Sequence, residues 1–212
     1  TLLERFDNDN LTNNTLTIRF ADHGEQALSH GLIEKFCNMY EESIHIPLII
    51  SNPSVCKEPQ MTDSLVSSLD LVPTLAHLLG LEEAFAGCFY GRNIAPILRD
   101  PSKSIQDSVH FTYDDIANRE EPGIIRSICT ERYKYAVYFK NDGSDADWEL
   151  YDLEEDPNEN ENKAGHHMYQ DVQLELERKL QETMEEMQTW PESFEWPPTE
   201  TENSRGGPPR YD

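Results

Sequence analysis

The chain has 212 residues, with 17 basic and 41 acidic side chains and a formal net charge of −24 at pH 7. Such an acidic chain is expected to repel nucleic acid and anionic membrane surfaces, because both bind basic protein faces. No apolar run approaches the roughly 20 residues that a membrane-spanning helix needs, so we predict no nucleic-acid partner and no membrane segment in this chain.

The first residues predict an α-helix that leads into a strand. Leu2, Leu3 and Phe6 lie on one side of a helix over residues 1–9. After a polar loop, Leu16–Ala21 is a short run with β-branched and aromatic side chains, which predicts a buried strand. A helix, a loop and a strand in this order form half of a βαβ unit. We therefore expect part of a mostly parallel sheet sandwiched by helices, with a preceding parallel strand outside this chain.

A second buried strand is predicted at Ile44–Ile50, and the sequence between the two strands permits a helix over Leu32–Ser43. Arg19 is an exception within the first strand, because a strand buried on both faces seldom holds an unpaired arginine. Two explanations remain open. Either the guanidinium reaches the end of the sheet, or this strand is less buried than a central strand.

Asp22, His23 and Gly24 follow the first strand at its carboxyl end, where open parallel α/β sheets place their ligands. A carboxylate and an imidazole side by side can reach one divalent cation. Oxygen ligands suit calcium and magnesium, and a histidine shifts the preference towards zinc or manganese. Gly24 is expected to supply a positive φ at the turn, and Lys35 to bring an amine to the same strand end. On spacing alone, a turn with a surface histidine remains the alternative.

The next segment predicts a largely buried helix that ends before Gly80. Asp70 is expected to cap this helix, with Pro73 tolerated in its first turn. His77, within the same apolar helix, is interpreted as a core or surface histidine rather than a metal ligand.

The second half of the chain predicts a small antiparallel sheet packed with a helix. Its strands are expected at Val109–Tyr113, Ile124–Thr130, Tyr133–Phe139 and Trp148–Leu153, the middle two joined as a hairpin by Glu131 and Arg132. Apolar side chains three and four apart predict an amphipathic helix over Met168–Gln188 that packs on this sheet. We place domain boundaries at residues 1–105, 106–190 and 191–212, the last being an extended or disordered tail.

Four cysteines show no C-x-x-C metal spacing and are interpreted mostly as small buried hydrophobes, with a disulfide left open. They are Cys37, Cys56, Cys88 and Cys129. The acidic stretch 156–162, DPNENEN, lacks the glycine and closing glutamate of a calcium-binding EF-hand loop. The chain begins at Thr1 without a methionine, and we expect it to be a fragment.

Seven sequence blocks, in this order, resemble the carboxy-terminal half of a type I sulfatase of the alkaline-phosphatase superfamily. They are DHGE (22–25), HGLIEK (30–35), YEESIHIPLIISNP (40–53), SLDLVPTLAHLLGL (68–81), YGRNIAPIL (90–98), RSICTERYKYAVY (126–138) and ELYDLEEDPNENEN (149–162). The resemblance covers roughly residues 1–165. It implies hydrolysis of a sulfate ester of a small molecule or glycan, and a secreted, lysosomal or periplasmic location if the family pattern holds.

The resemblance also implies roles for four residues. Asp22 and His23 match a pair of ligands for a divalent cation, usually Ca²⁺, and Lys35 matches a lysine that holds sulfate and stabilises negative charge. His30 matches less closely and is expected to line the substrate pocket. In this family the nucleophile is a formylglycine made from the first residue of a C/S-x-P-S/A-R motif, and its hydrated form attacks sulfur.

None of the four cysteines stands in that motif, so we expect the formylglycine on an N-terminal part outside this chain. The chain then holds half of an active site, and we predict that alone it does not hydrolyse sulfate esters. Two alternatives remain. One is a phosphodiesterase or phosphonate hydrolase of the same superfamily. The other is a non-catalytic, sulfatase-like binding protein.

Overall fold

The computed structural model describes residues 1–35, 37–114, 123–140 and 146–191. The chain divides into two compact units. The first contains Thr1–His23 and Ile46–Asp107, and the second contains Gly24–His45 with the described residues from Ser108 onward. Within the part of the chain that is described, no helix is long and apolar enough to cross a membrane.

Five α-helices and six strands are described. The helices are α1 (Leu2–Asn8), α2 (Glu41–Ile44), α3 (Leu71–Leu78), α4 (Ala95–Arg99) and α5 (Gln170–Met187). The strands are β1 (Thr17–Phe20), β2 (Leu48–Ser51), β3 (Ser108–Asp114), β4 (Ile124–Thr130), β5 (Tyr133–Phe139) and β6 (Asp147–Asp152). Short 3₁₀ turns occupy Thr12–Asn14, Ser29–Gly31, Ser68–Asp70, Glu82–Phe85 and His167–Tyr169.

In the first unit, β1 and β2 pair antiparallel, from Thr17 opposite Ser51 to Phe20 opposite Leu48. The predicted mostly parallel sheet is therefore wrong for the strands described here, all of which pair antiparallel. Antiparallel strands need no crossover helix between them, and the described residues between β1 and β2 contain only a 3₁₀ turn and the four-residue α2. Arg19 is exposed on β1, so the strand is less buried than a central strand, the second of the two explanations.

The predicted helix over Leu32–Ser43 is also wrong. Among the described residues of that range, only those of α2 are helical, and α2 begins at Glu41. Four described non-glycine residues between β1 and α2 have a positive φ, which an α-helix of L-residues does not accommodate, and Glu34 is the one that lies within the predicted range. They are Ala27 (47°), Leu28 (77°), His30 (54°) and Glu34 (63°). The segment is thus an irregular loop whose shape depends on contacts with the rest of its unit.

The helix predicted after Asp70 is confirmed as α3, and Gly80 follows it with a φ of 69°. It is less buried than expected, because Val72 is 53% exposed and only Thr74 and Ala76 are fully buried within it. His77 is half-buried, and its Nδ1 atom lies 2.6 Å from Glu82 Oε1. This contact agrees with a structural rather than a ligand role.

Asp70 has a different role from the predicted helix cap. Its carboxylate accepts hydrogen bonds from the Ser67 amide (2.7 Å), the Arg92 amide (2.7 Å) and Gln106 Nε2 (2.9 Å). It makes no side-chain cap bond to α3 and instead completes the capping box of the preceding 3₁₀ turn, whose N-cap is Ser67. Asp70 is 1% exposed, and its buried carboxylate connects three segments of the first unit by hydrogen bonds.

In the second unit, β3 to β6 form the predicted antiparallel sheet in sequence order, and β4 and β5 form the predicted hairpin. One face packs against α5 through Leu176, Leu180 and Met184, which confirms the predicted packing. The opposite face of the sheet packs against Met39, from the irregular loop. The small sheet therefore lies between α5 and the segment that contains Lys35.

None of the four cysteines forms a disulfide, which answers the open disulfide question in this structure. Cys88 is exposed and the other three are half-buried, so the interpretation as buried hydrophobes is wrong for Cys88. Burial raises the pKa of the Cys129 thiol to about 11. The predicted tail at 191–212 lies outside the described residues apart from Pro191.

Candidate functional site

Asp22 and His23 lie directly beyond β1, in the first unit. His23 Nε2 is 3.5 Å from Asp22 Oδ2, and the side chains are 37% and 86% exposed, respectively. The His23 amide also donates to Asp22 Oδ1, at 3.1 Å. The two residues therefore present a carboxylate oxygen and an imidazole nitrogen side by side, a donor set that fits one divalent cation.

Gly24 is required here for a reason that the sequence did not reveal. Its amide donates to the Ser43 carbonyl at 2.8 Å, and its φ is not among the positive values. A Cβ at this position would lie 1.9 Å from the Glu42 carbonyl oxygen. Gly24 thus allows close approach of the backbone to α2, and the predicted need for a positive φ is wrong.

Lys35 lies in the irregular loop of the second unit with its side chain exposed. Its main-chain carbonyl accepts hydrogen bonds from Asn38 Nδ2 and Ser43 Oγ, both at 2.9 Å. Across the described ranges, no carboxylate pairs with its ammonium. In a chain with a net charge of −24, this leaves a cation available to an anionic ligand.

His30 is packed inside the same loop, with its side chain 10% exposed. Its ring stacks on Tyr40, with centroids 3.7 Å apart and planes 8° apart. His30 Nε2 lies 3.8 Å from Glu42 Oε2 and makes no hydrogen bond within the described part of the chain. The imidazole therefore fixes the inner side of the loop through stacking.

A cluster missed by sequence reasoning joins His30, Glu42 and Glu159, whose ligand atoms lie within 4.8 Å of one another. Three such groups can hold a metal ion. However, Lys134 Nζ already lies 2.6 Å from Glu159 Oε1 and 2.6 Å from Glu41 Oε1, so an ammonium already supplies positive charge there. Glu159 belongs to the DPNENEN stretch, whose acidic composition was the only sequence signal.

Lys134 ties the loop to the sheet. It is 1% exposed, and its Nζ also donates to the Met39 carbonyl at 2.9 Å. The Glu41 amide donates to Glu159 Oε2 at 2.7 Å. Although burial opposes its charge, the carboxylates of Glu159 and Glu41 raise the pKa of Lys134. Residues 39–41 are thus fastened to β5 by charge-assisted bonds.

Glu149 lies in the same unit, 2% exposed, and its Oε2 accepts a hydrogen bond from the Tyr138 hydroxyl at 2.7 Å. The Tyr138 oxygen in turn accepts the Met39 amide at 3.1 Å. Burial raises the pKa of Glu149 to about 7, against the opposing effect of the Tyr138 hydrogen bond. A carboxyl group that titrates near neutrality therefore lies beneath the loop.

The structure brings Asp22 and His23 together in the first unit, whereas His30 and Lys35 belong to the second. A separate cavity of about 230 Å³ in the first unit is lined mainly by residues 73–93, including Phe85, Phe89 and the His77–Glu82 pair. None of the four predicted site residues lines it.

Comparison with known proteins gives a family match over most of the chain. The family described as N-sulphoglucosamine sulphohydrolase, C-terminal, matches residues 29–186. A Delta 4,5-hexuronate-2-O-sulfatase of Bacteroides thetaiotaomicron is 32% identical over 158 residues, 71% of this chain and 31% of that protein. An N-acetylglucosamine-6-O-sulfatase of the same organism is 28% identical over 176 residues, 82% of this chain and 30% of that protein. The chain spans about a third of the length of these curated relatives.

Solved structures resemble the chain over nearly its whole length. One, described as a complex with its substrate D-glucosamine-2-N,6-O-disulfate, superposes with a TM-score of 0.80 at 25% identity, covering 89% of this chain and 37% of that one. A phosphonate monoester hydrolase of Agrobacterium radiobacter gives a TM-score of 0.70 at 25% identity, covering 87% and 38%. The chain thus resembles both kinds of structure.

Proposed function

Because this chain belongs to the type I sulfatase family and matches its C-terminal portion, we propose that it supplies the C-terminal part of a sulfuric ester hydrolase. The observation that carries the proposal is Lys35. This residue lies inside the matched region, its ammonium is exposed, and no carboxylate of the described chain pairs with it. A sulfate ester on a sugar or other small molecule is the proposed substrate.

Lys35 is the proposed anion-binding residue. Its ammonium donates hydrogen bonds to sulfate oxygens and stabilises the negative charge that develops as the S–O bond breaks. Fixed donors of this kind act most strongly where water is excluded. His30 is proposed to support the same loop from its inner side, through its stack on Tyr40.

Asp22 and His23 are the proposed ligands of a divalent cation, most consistently Ca²⁺ in this family. The exposed carboxylate and the half-buried imidazole, 3.5 Å apart, fit such a role, and further ligands would come from outside this pair. When bound, the cation would supply Lewis-acid polarisation of the sulfate oxygens.

The formylglycine nucleophile is proposed to lie on sequence outside residues 1–212. No cysteine of the chain stands in C-x-P-S/A-R, and the nearest serine match, Ser51–Val55, has valine in place of the arginine. The activity of the sulfatase relatives, whose length this chain covers by about a third, is therefore a proposal for a longer polypeptide that includes this chain.

A phosphonate or phosphate ester hydrolase is the second candidate, favoured by the similarity to the phosphonate monoester hydrolase structure. Both reactions need a cation and an anion-binding lysine around a tetrahedral group. The difference would lie in the nucleophile, which is formylglycine for sulfate and is expected to be an unmodified hydroxyl for phosphate. A non-catalytic binding protein would retain neither activity.

Substitution of Lys35 in the longer polypeptide tests the proposal. Lys35→Ala is expected to lower kcat/KM for an aryl sulfate by about 100-fold, as removal of one electrostatic donor does elsewhere. Lys57→Ala, which removes an exposed lysine of the other unit, should leave kcat/KM unchanged. Equal activity of the two variants would contradict the role of Lys35, and turnover of phosphonate but not sulfate would favour the second candidate.

A further inference from the structure

Lys35 is exposed, but its backbone is held by a buried polar network. Gln26, Asn38 and Ser43, which we call the Lys35 clamp, are 1%, 5% and 5% exposed. Asn38 Nδ2 and Ser43 Oγ both donate to the Lys35 carbonyl, at 2.9 Å each. Two side-chain donors thus converge on one main-chain oxygen.

Gln26 orients both of these donors. Its Nε2 group donates to Asn38 Oδ1 at 3.0 Å and to Ser43 Oγ at 2.8 Å. Because Ser43 Oγ accepts a hydrogen bond from Gln26, its own single hydrogen is free to be donated to the Lys35 carbonyl. Because Asn38 Oδ1 also accepts from Gln26, the Nδ2 group of Asn38 is turned towards the same carbonyl. The clamp therefore has one consistent arrangement of donors, which ends at the Lys35 carbonyl.

The loop would not keep this shape by itself. Four of its non-glycine residues have positive φ, which is unfavourable unless surrounding contacts impose it. The Gln26 amide donates to the Glu34 carbonyl at 3.0 Å, which closes the loop just before Lys35. On the other side of the clamp, Lys134 fastens residues 39–41 to the sheet. The clamp thus connects Lys35 to a rigid support.

A lysine ammonium stands on a flexible four-carbon stem, so its position over an anion depends on where its backbone is fixed. We propose that Gln26, Asn38 and Ser43 are positioning residues, which set the Lys35 backbone so that its ammonium reaches the sulfate group. They act through Lys35 and do not touch the substrate. The inference rests on the proposed function, since it assumes that Lys35 binds the anion.

A double-mutant cycle in the longer polypeptide tests the clamp. Ser43→Ala is expected to lower kcat/KM for an aryl sulfate by about 10-fold, because small misplacements of a catalytic group are costly. The inhibition constant of inorganic sulfate should rise by a similar factor, while the Ca²⁺ affinity stays unchanged. In the Lys35→Ala background, Ser43→Ala should have no further effect, because the group that it positions is gone.

Two variants separate positioning from general loss of stability. Ser127→Ala removes another fully buried hydroxyl of the same unit and should retain kcat/KM. Asn38→Asp removes the other donor to Lys35 but keeps the acceptor for Gln26. It should repeat the Ser43→Ala result, and it remains informative if Ser43→Ala does not fold.

Three results would overturn the inference. The first is an undiminished effect of Ser43→Ala or Asn38→Asp in the Lys35→Ala background, which would indicate a structural role. The second is a loss in Ser127→Ala as large as that in Ser43→Ala. The third is a Lys35→Ala variant with unchanged turnover, which alone also removes the proposed function of Lys35.

Discussion

At the scale of single residues, the burial of Glu149 makes the stability of the protein depend on pH. Its carboxyl group is 2% exposed, and burial raises its pKa from 4.5 to about 7. The pKa of Glu149 is higher in the folded than in the unfolded protein. Its contribution to the free energy of unfolding is therefore fully present below about pH 4.5 and is lost as the pH rises through about 7. At about 1.4 kcal/mol per pKa unit, the loss is about 3 kcal/mol.

In the wild type, the free energy of unfolding should decrease between about pH 5 and pH 8, and Glu149→Gln is expected to make this decrease smaller. Urea unfolding at several pH values measures the free energy of unfolding. Glu154→Gln, at an exposed position, serves as the control and should keep the wild-type slope. Identical slopes in wild type and Glu149→Gln would show that Glu149 does not titrate in this range.

Gly24 shows how a backbone contact fixes a residue type. A Cβ there would lie 1.9 Å from the Glu42 carbonyl oxygen, whereas at Gly31 it would meet nothing within 4 Å. Gly24→Ala is expected to destabilise the protein by about 2 kcal/mol or more through overpacking. Gly31→Ala should cost about 1 kcal/mol from its φ of 75° alone. Urea unfolding compares the two, and a smaller cost at Gly24 would contradict the close contact.

At the scale of elements, the hairpin and α5 could be predicted from sequence, whereas the loop before α2 could not. The hairpin depends on local alternation and a two-residue connection at Glu131 and Arg132, and α5 on a regular apolar stripe. The loop instead depends on contacts with Tyr138 and Lys134, about a hundred residues later in the chain. Such long-range contacts override local helix propensity, and no local pattern encodes them.

The candidate site divides in the same way. The proximity of Asp22 and His23 could be predicted from sequence, because the chain itself places adjacent residues together, and their role as ligands stays a prediction. The clamp on Lys35 could not, because glutamine, asparagine and serine are usual surface residues. Only their hydrogen bonds in the folded loop distinguish Gln26, Asn38 and Ser43 from the polar residues of an ordinary surface loop.

Lys134 tests how the loop is fastened to β5. Lys134→Met removes the ammonium between Glu41 and Glu159 and leaves buried carboxylate without its partner, which is expected to cost about 3–5 kcal/mol. Adding Glu159→Gln to Lys134→Met should recover part of this loss, because the uncompensated charge is then removed. Equilibrium unfolding of the single and double variants measures the coupling, and strictly additive losses would contradict the ion pair.

At the scale of the whole molecule, the chain combines a net charge of −24 with a proposed anionic substrate. General electrostatic attraction cannot bring these together, so local cations have to bind the sulfate group. Lys35 is the local cation that we propose for this role. The family model matches residues 29–186, which include Lys35 but not Asp22 or His23, and the relatives' greater length is consistent with a nucleophile elsewhere.

Hydrolysis of an aryl sulfate in the presence of Ca²⁺, by the longer polypeptide and by residues 1–212 alone, tests the central claim most directly. We predict turnover by the longer polypeptide, loss of that turnover with a chelator, and none by residues 1–212. Metal-dependent turnover by residues 1–212 alone would contradict the division of the active site. Absence of sulfate-ester turnover by a longer polypeptide that hydrolyses phosphonate esters would contradict the sulfatase assignment itself.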